Sequence, residues 1–184
     1  MANATEGEPR DPGGATAEHE IGGWFAGRIP DGWFTSAPDV EIDREEILVV
    51  GTLAEPELPD GADEETARSA RVARIEGFRE DTRARRMRIA DEAQRRFARK
   101  VSWGARCGDR TVLFTTLSVP AMTRLRMPQR KVLDTLVEAG VARSRSHAVA
   151  WCVSLVAERQ EDWLADLRRA LTQVQEVRSK GPND

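Results

Sequence analysis

Residues Asp63–Lys100 carry an apolar side chain at nearly every third or fourth position, and this spacing constrains the fold more than any other feature of the sequence. Residues three and four apart share one face of an α-helix, so the spacing predicts a long amphipathic helix. Asp63 suits the N-cap, and the acids that follow it suit a first helical turn. The residues that follow this helical spacing are Val72, Ile75, Phe78, Thr82, Ile89, Ala93 and Phe97.

The polar face of this predicted helix is strongly basic. Twelve arginine and lysine residues lie between Asp63 and Lys100, with acidic residues among them. We favour the interpretation that this face is a solvated, ion-paired surface. A surface that follows the phosphates of a nucleic acid is the alternative.

Short strands are predicted on either side of the helix. Ile47-Leu48-Val49-Val50, within Val40–Leu53, predicts a buried strand ended by Gly51. The Pro-, Gly- and acid-rich segment Ala54–Ala62 then predicts a linker. The expected fold class is therefore α+β and mainly helical, with a long central helix and short strands.

A β-hairpin is predicted directly after the long helix. Val101–Cys107 and Thr111–Val119 are both strand-like, and Gly108-Asp109-Arg110 joins them. Trp103 and Phe114 are the expected packing residues of this hairpin.

Four consecutive segments are expected along the chain. They are a disordered acidic leader at 1–21, a Trp/Phe-anchored segment with a short strand at 22–62, the long basic helix and hairpin at 63–119, and a C-terminal unit at 120–184. The second segment contains Trp24, Phe25, Trp33 and Phe34, whose apolar area is too large to leave in water. We favour the interpretation that these rings attach the N-terminal region to the body, and a docking surface for a protein partner is the alternative.

The net charge of −3 hides a strong asymmetry. Residues 1–66 hold 17 acids and 3 bases, and residues 67–184 hold 14 acids and 25 bases, which gives −14 and +11. A basic body suggests an anionic partner, although the two parts could neutralise each other within one fold. The sequence shows neither a membrane-spanning apolar run nor a secretory signal, so we expect a cytoplasmic protein.

The C-terminal third begins with an alternating pattern. Met122–Met127 predicts a strand with Arg124 and Arg126 on one face and Leu125 on the other. Pro128 suits the first turn of a following helix, and Gly140 suits its end. Ser144 suits the N-cap of a second helix, whose apolar residues are Ala148, Trp151, Cys152, Leu155 and Val156.

This order of elements resembles the ribbon-helix-helix family (MetJ/Arc type) of DNA-binding proteins, over RLRMPQRKVLDTLVEAGVARSRSHAVAWCVSLV only. The resemblance implies a homodimer whose paired strands enter the major groove of DNA. Arg124, Arg126 and Met122 would then face base edges. The backbone amides near Ser144, Arg145 and Ser146 would hold a phosphate at the start of the second helix.

The apolar pattern continues beyond the region of resemblance. From Val149 to Val177 nine positions alternate steps of four and three, and eight of the nine are apolar, which is typical of a coiled-coil seam. A separate C-terminal helix that packs on its own chain is the alternative.

No pattern of catalysis, of metal binding or of cofactor binding is evident. His19, His147, Cys107 and Cys152 are not spaced as metal ligands, and phosphate-binding glycine motifs and the nucleophile elbow are absent from the sequence. We therefore expect a non-enzymatic, dimeric DNA-binding protein that regulates transcription. The alternative is an adaptor that binds RNA or protein, in which the C-terminal unit only dimerises.

Overall fold

The protein is described by a computed structural model that covers residues 14–59 and 61–180. The chain forms two compact units, Met1–Pro120 and Ala121–Asp184. The first unit contains α1 (Gly14–Arg28), β1 (Asp39–Ile42), β2 (Glu46–Thr52), α2 (Glu64–Asp81), α3 (Arg83–Phe97), β3 (Lys100–Cys107) and β4 (Arg110–Leu113). The second unit contains α4 (Met127–Glu138), α5 (Arg145–Arg159) and α6 (Glu161–Lys180). The predicted class, α+β and mainly helical, is confirmed.

The four strands form one mixed sheet in the order β1-β2-β3-β4. β1 and β2 are antiparallel, and Asp43 closes their turn by accepting hydrogen bonds from the amides of Glu45 and Glu46 at 2.8 and 2.6 Å. β2 and β3 are parallel, with Val49 opposite Trp103. A parallel pair needs a crossover connection, and α2 and α3 provide it by packing against β3.

β3 and β4 form the predicted hairpin. Cys107 pairs with Arg110, and Gly108 adopts a positive φ of 56° in the tight turn between them. β4 is shorter than predicted, because regular pairing ends at Leu113. Phe114 still donates its amide to the carbonyl of Trp103 at 2.7 Å, and both side chains are buried.

The core of the first unit is rich in aromatic rings. Phe25 is fully buried and packs edge-on against Trp24 and Trp103. Trp33 and Phe34 both contact Phe78 of α2, with ring centroids 5.4 Å apart in each case. The two Trp-Phe pairs therefore attach the N-terminal region to the helices and the sheet, as the favoured interpretation predicted.

The predicted disordered leader is wrong for its last eight residues, 14–21, which are helical. Residues 1–13 lie outside the described part of the chain. Ile21 and Phe25 are one helical turn apart, and both are buried in the core, so the helix has an apolar face to bury. Two ion pairs also connect α1 to α3, Arg28 with Glu92 at 2.6 Å and Glu20 with Arg96 at 3.0 Å.

The predicted long central helix is two helices that meet at Thr82. Asp63 is the N-cap of α2, as predicted, and accepts a hydrogen bond from the amide of Thr66 at 2.8 Å. The Thr82 hydroxyl donates to the carbonyl of Phe78 one turn earlier, and such bonds bend helices. α3 then ends at Phe97, because Ala98 adopts a left-handed conformation with φ 55°.

Gly51 does not end its strand, since β2 continues to Thr52. A Cβ atom at Gly51 would lie 2.2 Å from the ring of Phe34. The missing side chain therefore makes room for this ring on the sheet, so the glycine serves packing and not chain reversal.

The second unit lacks the strand predicted at Met122–Met127. Residues 121–126 have no regular secondary structure, and α4 begins at Met127. Alternation alone does not make a strand, because a strand also needs a hydrogen-bonding neighbour, and the four strands of the described chain all belong to the first unit. The helices α4 and α5 occur where predicted, with Pro128 in the first turn of α4 and Ser144 as the N-cap of α5.

The core of the second unit is small. Leu133, Ala142 and Ala148 are its buried residues, and partly buried apolar side chains pack around them, among them Leu125 and Cys152. The predicted continuous seam from Val149 to Val177 is interrupted at Gln160, so α5 and α6 are separate helices. Several apolar residues of α6 are exposed, namely Trp163, Leu167, Leu171, Val174 and Val177.

Among the described residues, none of the helices combines the length and the apolar character needed to cross a membrane.

Candidate nucleic-acid interface

The predicted base-contacting residues lie in the segment that precedes α4. Arg124 and Arg126 are exposed, and Met122 is almost completely exposed, at 98%. Leu125, between the two arginines, is half-buried and packs on the core of the second unit. The two arginines therefore face solvent, although the segment is not a strand.

α4 holds this segment in place by two hydrogen bonds. The guanidinium of Arg130 donates to the carbonyl of Leu125 at 2.7 Å, and the Gln129 side chain accepts from the amide of Arg126 at 2.8 Å. Both bonds come from the first turn of the helix. They fix the backbone beside Arg124 and Arg126 while leaving those two side chains free to contact a ligand.

A groove of about 430 Å³ lies between this segment and the start of α5. Its walls combine apolar side chains, such as Met122 and Leu125, with the cations Arg130 and Arg145 and the hydroxyl of Ser146. Four of the six predicted DNA-contacting residues therefore lie at or beside this groove. Met122, Arg145 and Ser146 line it, and Ser144 directly precedes Arg145.

Arg145 forms an ion pair within the chain. Its Nε and Nη2 donate to the two carboxylate oxygens of Asp134 at 2.6 and 2.8 Å. This hydrogen bond raises the pKa of Arg145 and lowers the pKa of Asp134. Arg145 therefore connects α5 to α4, a role that the sequence did not indicate.

The start of α5 is capped from both directions. The Ser144 hydroxyl accepts from the amide of His147 at 3.2 Å, and Nδ1 of His147 accepts from the amide of Arg143 at 3.3 Å. The arrangement resembles a capping box in which histidine takes the place of the usual glutamate, except that the histidine accepts from the amide one residue before the N-cap. The remaining first-turn amides, of Arg145 and Ser146, point out of the helix as in any helix N-terminus.

The surface around this groove is positively charged. Residues 121–149 contain six basic residues and two acidic ones, a net charge of +4. All six basic side chains are exposed, and one of the two acids, Asp134, is already paired with Arg145. The bases are Arg124, Arg126, Arg130, Lys131, Arg143 and Arg145.

Metal binding and thiol chemistry find little support in the described residues. Within them, no three His, Cys, Asp or Glu side chains are grouped closely enough to hold a metal ion. Burial raises the pKa of the Cys107 thiol, which keeps it protonated and unreactive.

One charged residue that the sequence assigned to the solvated face is buried. Arg86 is 6% exposed. It lies four residues after Thr82 and three before Ile89, so helical spacing places it on the apolar face of the predicted helix. That spacing was the signal that could have identified it.

The fold and the site together define an α+β protein with a basic, helical C-terminal unit. Residues 19–113 match the family described as "Rv1265-like protein, N-terminal domain", and residues 126–178 match the family described as "Mb1296 C-terminal domain". The uncharacterized protein Rv1265 of Mycobacterium tuberculosis is 54% identical over 160 residues, which cover 87% of this chain and 69% of the relative. The uncharacterized protein Mb1296 of Mycobacterium bovis gives the same values. The chain therefore belongs to the Rv1265-like family, and no solved structure matches it significantly.

The resemblance to the ribbon-helix-helix family is wrong. The C-terminal region matches the Mb1296 C-terminal domain instead, and no ribbon-helix-helix family is found. The features that suggested the resemblance, a Pro-started helix, a Gly turn and a Ser N-cap, occur in many helical hairpins. The feature specific to the family was the strand, and residues 121–126 do not form one.

Proposed function

We propose that this protein is a dimeric DNA-binding protein that regulates transcription, and that its second unit makes the DNA contact. The observation that carries the proposal is the set of six exposed basic side chains against two acids in residues 121–149. Such a surface repels itself unless an anion neutralises it. Duplex DNA supplies regularly spaced phosphates, and binding releases their counterions.

The residues have different roles in this proposal. Arg124 and Arg126 reach the DNA directly, with the exposed Met122 beside them. The amides and hydroxyls at Ser144 and Ser146 hold a phosphate at the start of α5.

Arg145 has a positioning role in the proposal. It is already bonded to Asp134, so it fixes the start of α5, and the pair as a whole adds no net charge. The proposed role is binding and not catalysis, and a DNA-binding role would place the protein in the cytoplasm.

A salt titration of DNA binding tests the proposal. Fluorescence anisotropy with a labelled duplex would compare the wild type with the double variant Arg124→Ala/Arg126→Ala. If each arginine neutralises one phosphate, the slope of log K against log salt concentration should become less steep by about 2. Affinity at low salt should fall for all sequences, and a base contact would add a sequence-dependent loss of about 1–3 kcal/mol per arginine.

The matched control is Arg85→Ala/Arg88→Ala, which removes the same charge from exposed positions of α3 in the first unit. It should leave the slope nearly unchanged. Equal behaviour of the two double variants, or of the groove variant and the wild type, would show that the groove does not bind DNA.

The adaptor remains the second candidate, and the exposed apolar residues of α6 favour it. Trp163 is 54% exposed and Leu171 is 60% exposed, which is typical of a surface that contacts protein. An RNA oligonucleotide included in the same titration separates the two candidates. The adaptor would be supported if the protein did not bind DNA but bound RNA, or if it did not bind DNA but remained a dimer.

A further inference from the structure

Arg86 is a buried cation without an acidic partner. Its side chain is 6% exposed, at the bend between α2 and α3 of the first unit. Among the described residues it forms no salt bridge. Arginine is almost never fully buried in proteins unless it is paired, so this position requires an explanation.

Neutral groups hold the Arg86 guanidinium in place. Nε donates to the Thr82 hydroxyl at 2.9 Å, and Nη2 donates to the carbonyl of Arg79 at 2.6 Å, near the end of α2. The guanidinium also stacks over the ring of Phe114, 4.6 Å from its centroid. These contacts fix its orientation, and none of them neutralises its charge.

The charges near Arg86 are also positive. Arg79 lies over the same Phe114 ring at 5.9 Å, and Arg83 begins α3. Burial, and then repulsion from Arg79 and Arg83, lowers the pKa of Arg86 to about 10. Glu80 and Asp81 are close in sequence, but neither forms a salt bridge with these arginines among the described residues.

One end of the Arg86 guanidinium remains available. Its Nη1 makes no hydrogen bond to a described residue. In the described chain, the single fully buried side-chain nitrogen or oxygen without a partner is Nε1 of Trp103, so Nη1 of Arg86 keeps some contact with solvent. A ligand could therefore bind Nη1 from outside, with the exposed side chains of Arg79 and Arg83 close by.

We propose that Arg86, Arg79 and Arg83 form a binding site for a phosphate group in the first unit. An oriented, poorly solvated guanidinium binds a phosphate oxygen more strongly than a surface arginine does, because less water competes for it. Arg79 and Arg83 add the charge that a phosphate would neutralise. Without an anion the three cations destabilise the folded state, and an apolar residue at position 86 would be the more stable choice.

The phosphate group has two possible sources, a free phosphate or phosphomonoester and the backbone of a nucleic acid. The site lies in the first unit and does not involve the groove of the second unit. The phosphate-site proposal and the DNA-binding proposal can therefore fail independently, since the effect of free phosphate on the Tm is measured without DNA.

Thermal unfolding of the full chain in sodium phosphate, compared with sodium chloride at equal ionic strength, tests the site. A bound phosphate should raise the Tm of the wild type by about 2–4 °C. Arg86→Met should lose this increase and should unfold in chloride at the same temperature as the wild type or higher. The Tm in chloride separates loss of a ligand from loss of a structural contact, which would lower it.

Two further variants keep the test decisive if Arg86→Met does not fold. Arg79→Ala/Arg83→Ala changes two exposed side chains and should also lose the phosphate effect. Arg85→Ala/Arg88→Ala removes the same charge from other exposed positions of α3 and should retain it. The proposal would be overturned if phosphate raised the Tm equally in all variants. It would also be overturned if phosphate did not change the Tm of the wild type and Arg79→Ala/Arg83→Ala bound the duplex as tightly as the wild type.

The source follows from a second measurement with a duplex oligonucleotide. A phosphate effect on Tm with unchanged duplex affinity in Arg79→Ala/Arg83→Ala identifies free phosphate or a phosphomonoester. A fall in duplex affinity in this variant, but not in Arg85→Ala/Arg88→Ala, identifies the nucleic-acid backbone.

Discussion

Replacing Phe25 by alanine tests whether helix α1 is part of the folded core. Phe25 is fully buried and makes edge-on contacts with Trp24 and Trp103, at centroid distances of 4.9 and 6.0 Å. Removing a buried phenylalanine side chain costs about 3–5 kcal/mol, from lost burial and from the cavity that remains. The surrounding rings cannot easily collapse into the space, so we expect a loss near 4 kcal/mol for the first unit.

Urea unfolding followed by tryptophan fluorescence measures this loss. Trp24, Trp33 and Trp103 report on the first unit, and Trp151 and Trp163 on the second, so the transitions of the two units can be assigned with tryptophan variants. Only the transition of the first unit should move. At about 4 °C per kcal/mol for a unit of this size, the corresponding Tm should fall by about 16 °C.

Gly27→Ala is the matched control on the same helix. Gly27 is exposed, and a Cβ atom there would have no neighbour within 4 Å. Alanine in a helix is more stable than glycine by about 0.5–1 kcal/mol, so this variant should stabilise the first unit slightly. If both variants unfold within about 0.5 kcal/mol of the wild type, a size typical of surface substitutions, α1 does not pack as described and the reasoning is refuted.

Three further predictions concern the second unit. Ser144→Ala should lower its free energy of unfolding by about 1 kcal/mol through the lost N-cap, whereas Ser146→Ala should not, as measured by urea unfolding. The ion pair with Arg145 lowers the pKa of Asp134, so the pair should stabilise the second unit at pH values above the unfolded-state pKa of Asp134 and lose this effect as the pH falls through the folded-state pKa. Asp134→Asn should remove this part of the acid dependence of unfolding. An unchanged dependence of unfolding on pH in Asp134→Asn would contradict the pairing. Sedimentation equilibrium should show a dimer that Leu167→Asp/Leu171→Asp dissociates and Thr172→Asp does not; a folded monomeric wild type at micromolar concentration would exclude the dimer.

Elements with strong local patterns could be predicted from the sequence. The hairpin after α3 has a glycine turn between two strand-like runs, and α5 has a serine N-cap followed by helical spacing. The start of α2 at Asp63 follows from the same capping chemistry. In each case the signal lies within a few residues of the element that it specifies.

Elements that depend on distant contacts could not be predicted. The local pattern predicts that Gly51 ends a strand, but the role of this glycine depends on the ring of Phe34, which occupies the space that a side chain at position 51 would fill. The parallel pairing of β2 with β3 likewise brings together residues separated by two helices. Local propensity contains no information about such contacts.

Burial of a charged residue misled the prediction at Arg86. The expectation that arginine is exposed outweighed the helical spacing, which placed Arg86 on the same face as Thr82 and Ile89. In the candidate interface, the exposure of Arg124 and Arg126 followed from the sequence, whereas the pairing of Arg145 with Asp134 did not. The two residues of that pair lie on different helices, and their contact depends on how α4 and α5 pack.

The small core of the second unit bears on its proposed dimerisation. Its buried side chains include one large one, Leu133, beside Ala142 and Ala148. A core of this size stabilises a helical unit only weakly, because little apolar area is removed from water. The exposed apolar residues of α6 could supply additional buried area in a dimer, since each large apolar side chain that becomes buried contributes about 1.5–3 kcal/mol.

The charges of α6 indicate how a second copy would cover this face. Its first seven residues, Glu161–Leu167, carry three acids, and the rest of the helix, 168–180, carries four bases and one acid. Antiparallel pairing of two copies places the net −3 of one half opposite the net +3 of the other, and it also opposes the helix dipoles favourably. Parallel pairing would place like charges together. The second unit should therefore gain stability with protein concentration, and a concentration-independent unfolding midpoint would show that α6 is covered in some other way.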